Sequence, residues 1–184
     1  MVVLALRVRD QNERYARLYD RATRPYAGMW VPTFRAATLA GDSVTIGETP
    51  EGRRQVLFFF TTICPYCKSS LPAWKELAAT LDTLTTPKVE VYGVSLDSVD
   101  VTREYAVEHE LPYPVLFFPE EKLSRIYRAG TVPLTAVLDE QGRMVHARLG
   151  EISERASIDS VVAMVKWRAE PRPSAPPAEA AHGS

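Results

Sequence analysis

The segment Gln55-Val56-Leu57-Phe58-Phe59-Phe60 carries no charge and ends in three consecutive phenylalanines. A continuous run of this kind and of strand length suits a central strand covered on both faces, which calls for layers of structure above and below it. Beyond it the period changes. Leu71, Trp74, Leu77, Ala78 and Leu81 recur at steps of three and four, the pattern of a helix buried along one side and running to about Leu84. Between strand and helix stand Cys64-Pro65-Tyr66-Cys67, which hold the only two cysteines of the chain.

A helix that begins near Cys64 aims its unpaired backbone N–H groups and the positive end of its dipole at that sulfur, which favours thiolate over thiol. Cys64 is therefore the expected nucleophile. Cys67, one turn further on, is placed to attack Cys64 and resolve a mixed disulfide. Pro65 in the first turn costs little, because its missing N–H had no intrahelical partner there. A zinc site would need more ligands: there is no second cysteine pair, and His109, His146 and His182 show no ligand spacing. Inert buried cysteines would leave the strand-to-helix placement unexplained. Neither a metal nor a cofactor is expected, since the two thiols carry the electrons.

At 184 residues, 46% of them apolar, the chain can bury a full core and suits one domain with extensions at both ends. A formal net charge of −1, from 22 basic and 23 acidic residues, leaves no electrostatic footprint for nucleic acid or an anionic membrane. Residues 1–31 form an N-terminal segment that opens with the apolar Val2-Val3-Leu4-Ala5-Leu6. So short a run cannot span a bilayer, which takes about 20 residues, and no basic segment precedes it as in a signal peptide. Two compatible readings fit: the trailing edge of a trimmed membrane anchor, and a helix that continues through Tyr15, Leu18 and Tyr19 and packs on the domain. Residues 32–169 hold the domain. From Glu170 to Ser184, four prolines and almost nothing to bury predict a disordered tail, which includes His182.

Within the domain, Thr33–Leu39 and Ser43–Ile46 around Gly41-Asp42 read as a hairpin ahead of the main sheet. Val89–Ser95 is a second apolar strand, so strand, cysteine helix and strand make one parallel βαβ unit. Asp97–Glu110 reads as a helix capped by Asp97 or Ser98. Val115–Phe118 is a short apolar stretch, and Glu120–Tyr127 suits a short helix. Leu134–Leu138 and Met144–Leu149 flank Asp139-Glu140-Gln141-Gly142 as a second hairpin. Ser153 to about Arg168 closes the chain as an amphipathic helix. His109 and His146 sit inside these patterns as surface or satisfied residues.

This order, with Phe58–Lys68, Leu71-Pro72 and Thr131-Val132-Pro133-Leu134-Thr135 as its specific parts, resembles thioredoxin-like proteins of the TlpA and ResA type over about Pro32 to Trp167. The resemblance implies an α/β fold, with a central mixed sheet flanked by helices and an N-terminal β-hairpin. It also implies a bacterial, extracytoplasmic thiol-disulfide oxidoreductase, in the periplasm or on the outer face of the membrane. Such a protein reduces disulfides in protein substrates and works with a membrane or soluble thiol-redox partner. The membrane enters only through an N-terminal anchor. By the same resemblance Pro133 matches the cis-proline opposite the cysteines, and Val132 offers its N–H and C=O to an extended substrate segment by strand addition. Ile63, Pro65 and Tyr66 complete the active-site loop and its rim.

Three departures from the family follow. Ile63 stands where tryptophan is often found, Ser70 where many members carry an acidic residue, and Phe58 where ordinary thioredoxins bury an aspartate. The usual acceptors for the Cys67 proton are therefore missing, which leaves water, Glu76 or Asp97. Loss of nearby negative charge also leaves the helix N-terminus less opposed, which favours a more oxidising pair. Cys-Pro-Tyr-Cys is familiar from glutaredoxins, but the length and the hairpin do not fit them. Gly93–Ser98 and Tyr105–Pro114 also resemble peroxiredoxins, although Thr61-Thr62-Ile63 lacks the proline their motif places before the reactive cysteine. A thioredoxin-fold metallochaperone holding a soft ion such as Cu(I) is the remaining alternative.

Overall fold

In a computed structural model, which describes residues 2–50, 52–118 and 120–167, the apolar run lies within strand β4 (Arg53–Phe60) at the centre of a six-stranded sheet. β4 pairs in parallel with β5 (Lys88–Ser95) and antiparallel with β7 (Leu134–Leu138). β6 (Val115–Phe117) continues the sheet on the β5 side, and β8 (Arg143–Leu149) continues it on the β7 side. The sheet is thus mixed, with the parallel strands joined by helix α2 (Pro65–Asp82).

Side chains of β4 alternate between two buried clusters, as the pleat requires. Val56, Phe58 and Phe60 face α2, together with α3 (Val99–Glu108) and α5 (Arg155–Lys166); Leu77, Tyr105 and Val161 are their partners. Leu57 and Phe59 face the other way, toward Ile46, Leu116 and Tyr127. That second face is covered by the hairpin of β2 (Phe34–Ala37) and β3 (Ser43–Ile46), and by Tyr127 at the end of α4 (Glu121–Ile126). Each large side chain buried in this way contributes about 1.5–3 kcal/mol.

Gln55 is the polar exception in the run, and its partners explain it. Fully buried, it accepts a hydrogen bond from Gly47 N–H at 3.0 Å and donates to the Thr45 carbonyl at 2.7 Å and to Glu90 at 3.2 Å. The hairpin is therefore fastened to the central strand. Gly47 has φ +108°, and a Cβ there would come within 2.8 Å of Thr33 Cα, so only glycine fits.

Two findings differ from expectation at the N-terminus. Helix α1 (Val2–Thr23) forms, yet Tyr15, Leu18 and Tyr19 are exposed rather than packed on the domain. Charged residues interrupt the apolar stripe, and ion pairs one turn apart, Arg9–Glu13 at 3.1 Å and Arg14–Asp10 at 3.0 Å, support the helix locally instead. The side chains of Val3, Leu4 and Leu6 lie outside the described residues, as does the tail from Glu170. Among the described residues no helix is long and apolar enough to cross a membrane. The second finding is an unanticipated edge strand, β1 (Met29–Trp30), paired antiparallel with β8. At two residues it carries no readable alternation.

Candidate active site

β4 ends at Phe60, the chain turns through Thr61–Ile63, and Cys64 becomes the N-cap of α2 in an extended conformation (φ −76°, ψ 114°). Pro65 then opens the helix. The Cys64 sulfur accepts a hydrogen bond from Cys67 N–H at 3.3 Å, so a serine-like cap is made by sulfur. On its other side the Cys64 thiol faces the Val132 carbonyl at 3.9 Å. The Val132–Pro133 peptide bond is cis, and Pro133 is held by a hydrogen bond from Gly150 N–H to its carbonyl at 2.8 Å.

The two thiols, both free, differ sharply in environment. Cys64 is partly exposed and is rimmed by Ile63 and Tyr66, which are 89% and 62% exposed. Cys67 is fully buried. Burial pushes the Cys67 thiol up to about 12; its hydrogen bond with Cys64 and the charges of Cys64 and Asp97 act in the same direction, and a backbone hydrogen bond at Thr61 opposes them.

The positions vacated by carboxylates have other uses. Phe58 stacks on Trp74, with ring centres 5.0 Å apart, and Trp74 donates to Thr135 Oγ1 at 3.0 Å. Ser70, also fully buried, donates to the Tyr66 carbonyl at 2.8 Å and accepts from Ile152 N–H at 3.1 Å. Of the two acidic candidates, Asp97 is brought to the site and Glu76 is not. Glu76 forms an ion pair with Arg155 on the outer side of α2 and α5; nine residues beyond Cys67 on a helix, it is roughly 13 Å further along the axis. Asp97 accepts from Thr62 N–H at 2.5 Å and from the Thr62 hydroxyl at 2.8 Å. Its own N–H donates to Ser95 Oγ, and the Ser95 and Thr102 hydroxyls share a hydrogen bond at 2.7 Å.

Thr62 was not anticipated as part of the site. Only its place two residues before Cys64 could have marked it, because its partner lies 35 residues away. His109 contacts the Tyr105 ring at 4.3 Å. His146 is not satisfied as expected: its Nε2 is buried without a partner among the described residues, and burial, then Arg148, hold its imidazole below the ordinary range. An open groove of about 440 Å³ between α2 and the end of α3 is lined by Lys68, Leu71, Pro72, Lys75, Glu108, His109 and Glu110, and includes neither cysteine. Among the described residues no group of three or more His, Cys, Asp or Glu side chains is placed to hold a metal ion.

A family model described as the AhpC/TSA family matches residues 27–147. Sporulation thiol-disulfide oxidoreductase A of Bacillus subtilis is 23% identical over 124 residues, 65% of this chain and 72% of that protein. The thiol-disulfide oxidoreductase ResA of Bacillus anthracis is 24% identical over 125 residues, 67% of this chain and 70% of that one. Among solved structures, the thioredoxin domain of a thiol-disulfide oxidoreductase from Bacteroides vulgatus superposes with a TM-score of 0.62 at 17% identity, covering 76% of this chain and 98% of that domain. The fold is thioredoxin-like.

Proposed function

Because the chain belongs to the AhpC/TSA family, we propose that it is a thiol-disulfide oxidoreductase that reduces disulfides in extracytoplasmic protein substrates through Cys64 and Cys67. The asymmetry of the pair carries this reading: Cys64 reaches the surface with a backbone N–H directed at its sulfur, and Cys67 is buried behind it. The printed names of the relatives point to the same reaction class.

In the reducing direction, the Cys64 thiolate attacks one sulfur of a substrate disulfide, and the other substrate sulfur leaves as thiolate. The substrate segment lies along Val132, whose carbonyl already faces Cys64, and beside Pro133; Ile63, Pro65 and Tyr66 form the rim it meets. Cys67 then loses its proton and attacks Cys64, and the second substrate sulfur departs. Asp97, whose charge acts on Cys67, takes that proton by way of solvent. The substrate has gained two electrons and the pair is left as a disulfide, which a membrane or soluble thiol partner reduces.

Cys67→Ser should trap covalent substrate adducts through Cys64, whereas Cys64→Ser should trap none; equal trapping would sink the assignment. A reduction potential near about −270 mV with insulin turnover supports a reductase, and one nearer about −120 mV with poor turnover an oxidase. Peroxide consumption would favour the peroxidase alternative. Cu(I) uptake by a pair that forms no reversible disulfide would favour metal binding.

A further inference from the structure

Two tyrosine hydroxyls are buried in the core cluster that holds Cys67, without a hydrogen-bond partner among the described residues. Tyr105 on α3 and Tyr113 in the loop before β6 are each 6% exposed, and neither hydroxyl meets a donor or acceptor among the described residues. Such groups are costly and uncommon in folded interiors. Packing does not ask for them. The Tyr105 ring stacks on Phe60 at 5.6 Å, and the Tyr113 ring meets Phe58 edge-on at 5.2 Å, contacts that phenylalanine would make equally well.

The backbone is cleared to seat the Tyr113 ring. A Cβ at Gly93 would lie 3.1 Å from Tyr113 Cε2 and 3.2 Å from Phe60 Cε1, beside the end of β4 that leads into Cys64. Cys67, Tyr105 and Tyr113 belong to one buried cluster. The charges of Cys67 and Cys64 both act on Tyr105, as does Glu108 on its own helix, and Tyr105 acts in turn on Tyr113. Besides Tyr105, Cys64 and Asp97 are the ionisable groups whose charge is felt at Cys67.

We propose that Tyr105 is a positioning residue for the resolving step, its buried hydroxyl donating toward the Cys67 sulfur, directly or through a water, as that sulfur becomes charged. Tyr113 stands behind it. This rests on the oxidoreductase reading above and supplies what the replaced carboxylates leave unanswered: how a sulfur enclosed by apolar side chains bears charge while it attacks Cys64. A hydrogen bond to a charged group is about twice as strong as a neutral one, which offsets the burial of the phenol. Tyr105 keeps its proton throughout; the Cys67 proton leaves to Asp97 by way of solvent, and the Cys64–Cys67 bond forms as the Cys64–substrate bond breaks.

The test is rapid mixing of the reduced full chain with a peptide disulfide whose two thiols are released in separate phases, followed across pH. The first phase reports attack by Cys64 and the second attack by Cys67, so Cys67→Ser should show only the first. Tyr105→Phe should leave the first phase unchanged, slow the second about tenfold, and move its pH midpoint up by about one unit. Tyr113→Phe should have a smaller effect in the same direction. An unchanged second phase in Tyr105→Phe, with the first phase intact, overturns the role of Tyr105 and leaves the oxidoreductase reading standing. Absence of the first phase in the unaltered chain overturns both.

Discussion

Cys64 and Cys67 are three residues apart on one turn of chain, but they belong to different regions. The outer region is made of Ile63, Pro65 and Tyr66, which are exposed, with the half-buried Val132 beside them, and it leaves the Cys64 sulfur accessible. The inner region around Cys67 is made of Phe58, Phe60, Ser70, Trp74 and Tyr105, all buried. One short motif thus joins a surface that can change with the substrate to a close-packed interior that tolerates little change in volume. Truncations that open space or strip a hydrogen bond in the inner region should cost stability, and substitutions in the outer region should cost turnover.

The largest expected effect is at Trp74. Trp74→Ala removes the stack on Phe58 and the hydrogen bond to Thr135, and should lower unfolding free energy by about 3–5 kcal/mol in a denaturant titration. A loss below about 1 kcal/mol would break the comparison. Ser70→Ala should cost about 1–3 kcal/mol by the same measurement, because Ile152 N–H is left buried and unpaired.

A smaller effect distinguishes the redox states. Burial pushes the Cys67 thiol up from its ordinary 9.0 to about 12 in the folded protein. Above pH 9 the unfolded chain ionises first, so the folded state gains nothing from deprotonation. Stability of the reduced form is therefore full below pH 9 and falls as pH rises from there toward 12. Thermal melts of reduced and oxidised protein at pH 8 and pH 10 should show the steeper loss in the reduced form; equal losses would place the buried charge elsewhere.

Smallest in stability is Ile63→Ser, which should change unfolding free energy by no more than about 0.5 kcal/mol while raising KM for a protein disulfide. Loss of stability with unchanged KM would reverse the roles of the two regions.

Legibility followed the range of the interactions. β4, α2 and the cysteine turn were readable because the period of apolar residues and the proline at the helix start are local signals. Both hairpins were readable from their turns. The partner-dependent features were not. α1 has the periodicity of a packed helix, yet Tyr15, Leu18 and Tyr19 lie exposed, because periodicity specifies a face and not what covers it. Glu76 and Asp97 looked alike as proton acceptors, and only the tertiary structure sends one to Arg155 and the other to Thr62. The hydroxyls of Tyr105 and Tyr113 are one atom each beyond phenylalanine, and no pattern of hydrophobicity sees that atom.

The amide of Gln55 has a consequence for the order in which the molecule assembles. It joins β3 at Thr45 and the following turn at Gly47 to Glu90 on β5, so the hairpin can dock fully only after the two parallel strands have found their register. The hairpin should then be the last part to lock and the first to open. Amide exchange at Gly47 would time that event from a position well away from the sulfurs, in a protein whose reactive turn grows from the other end of the same strand.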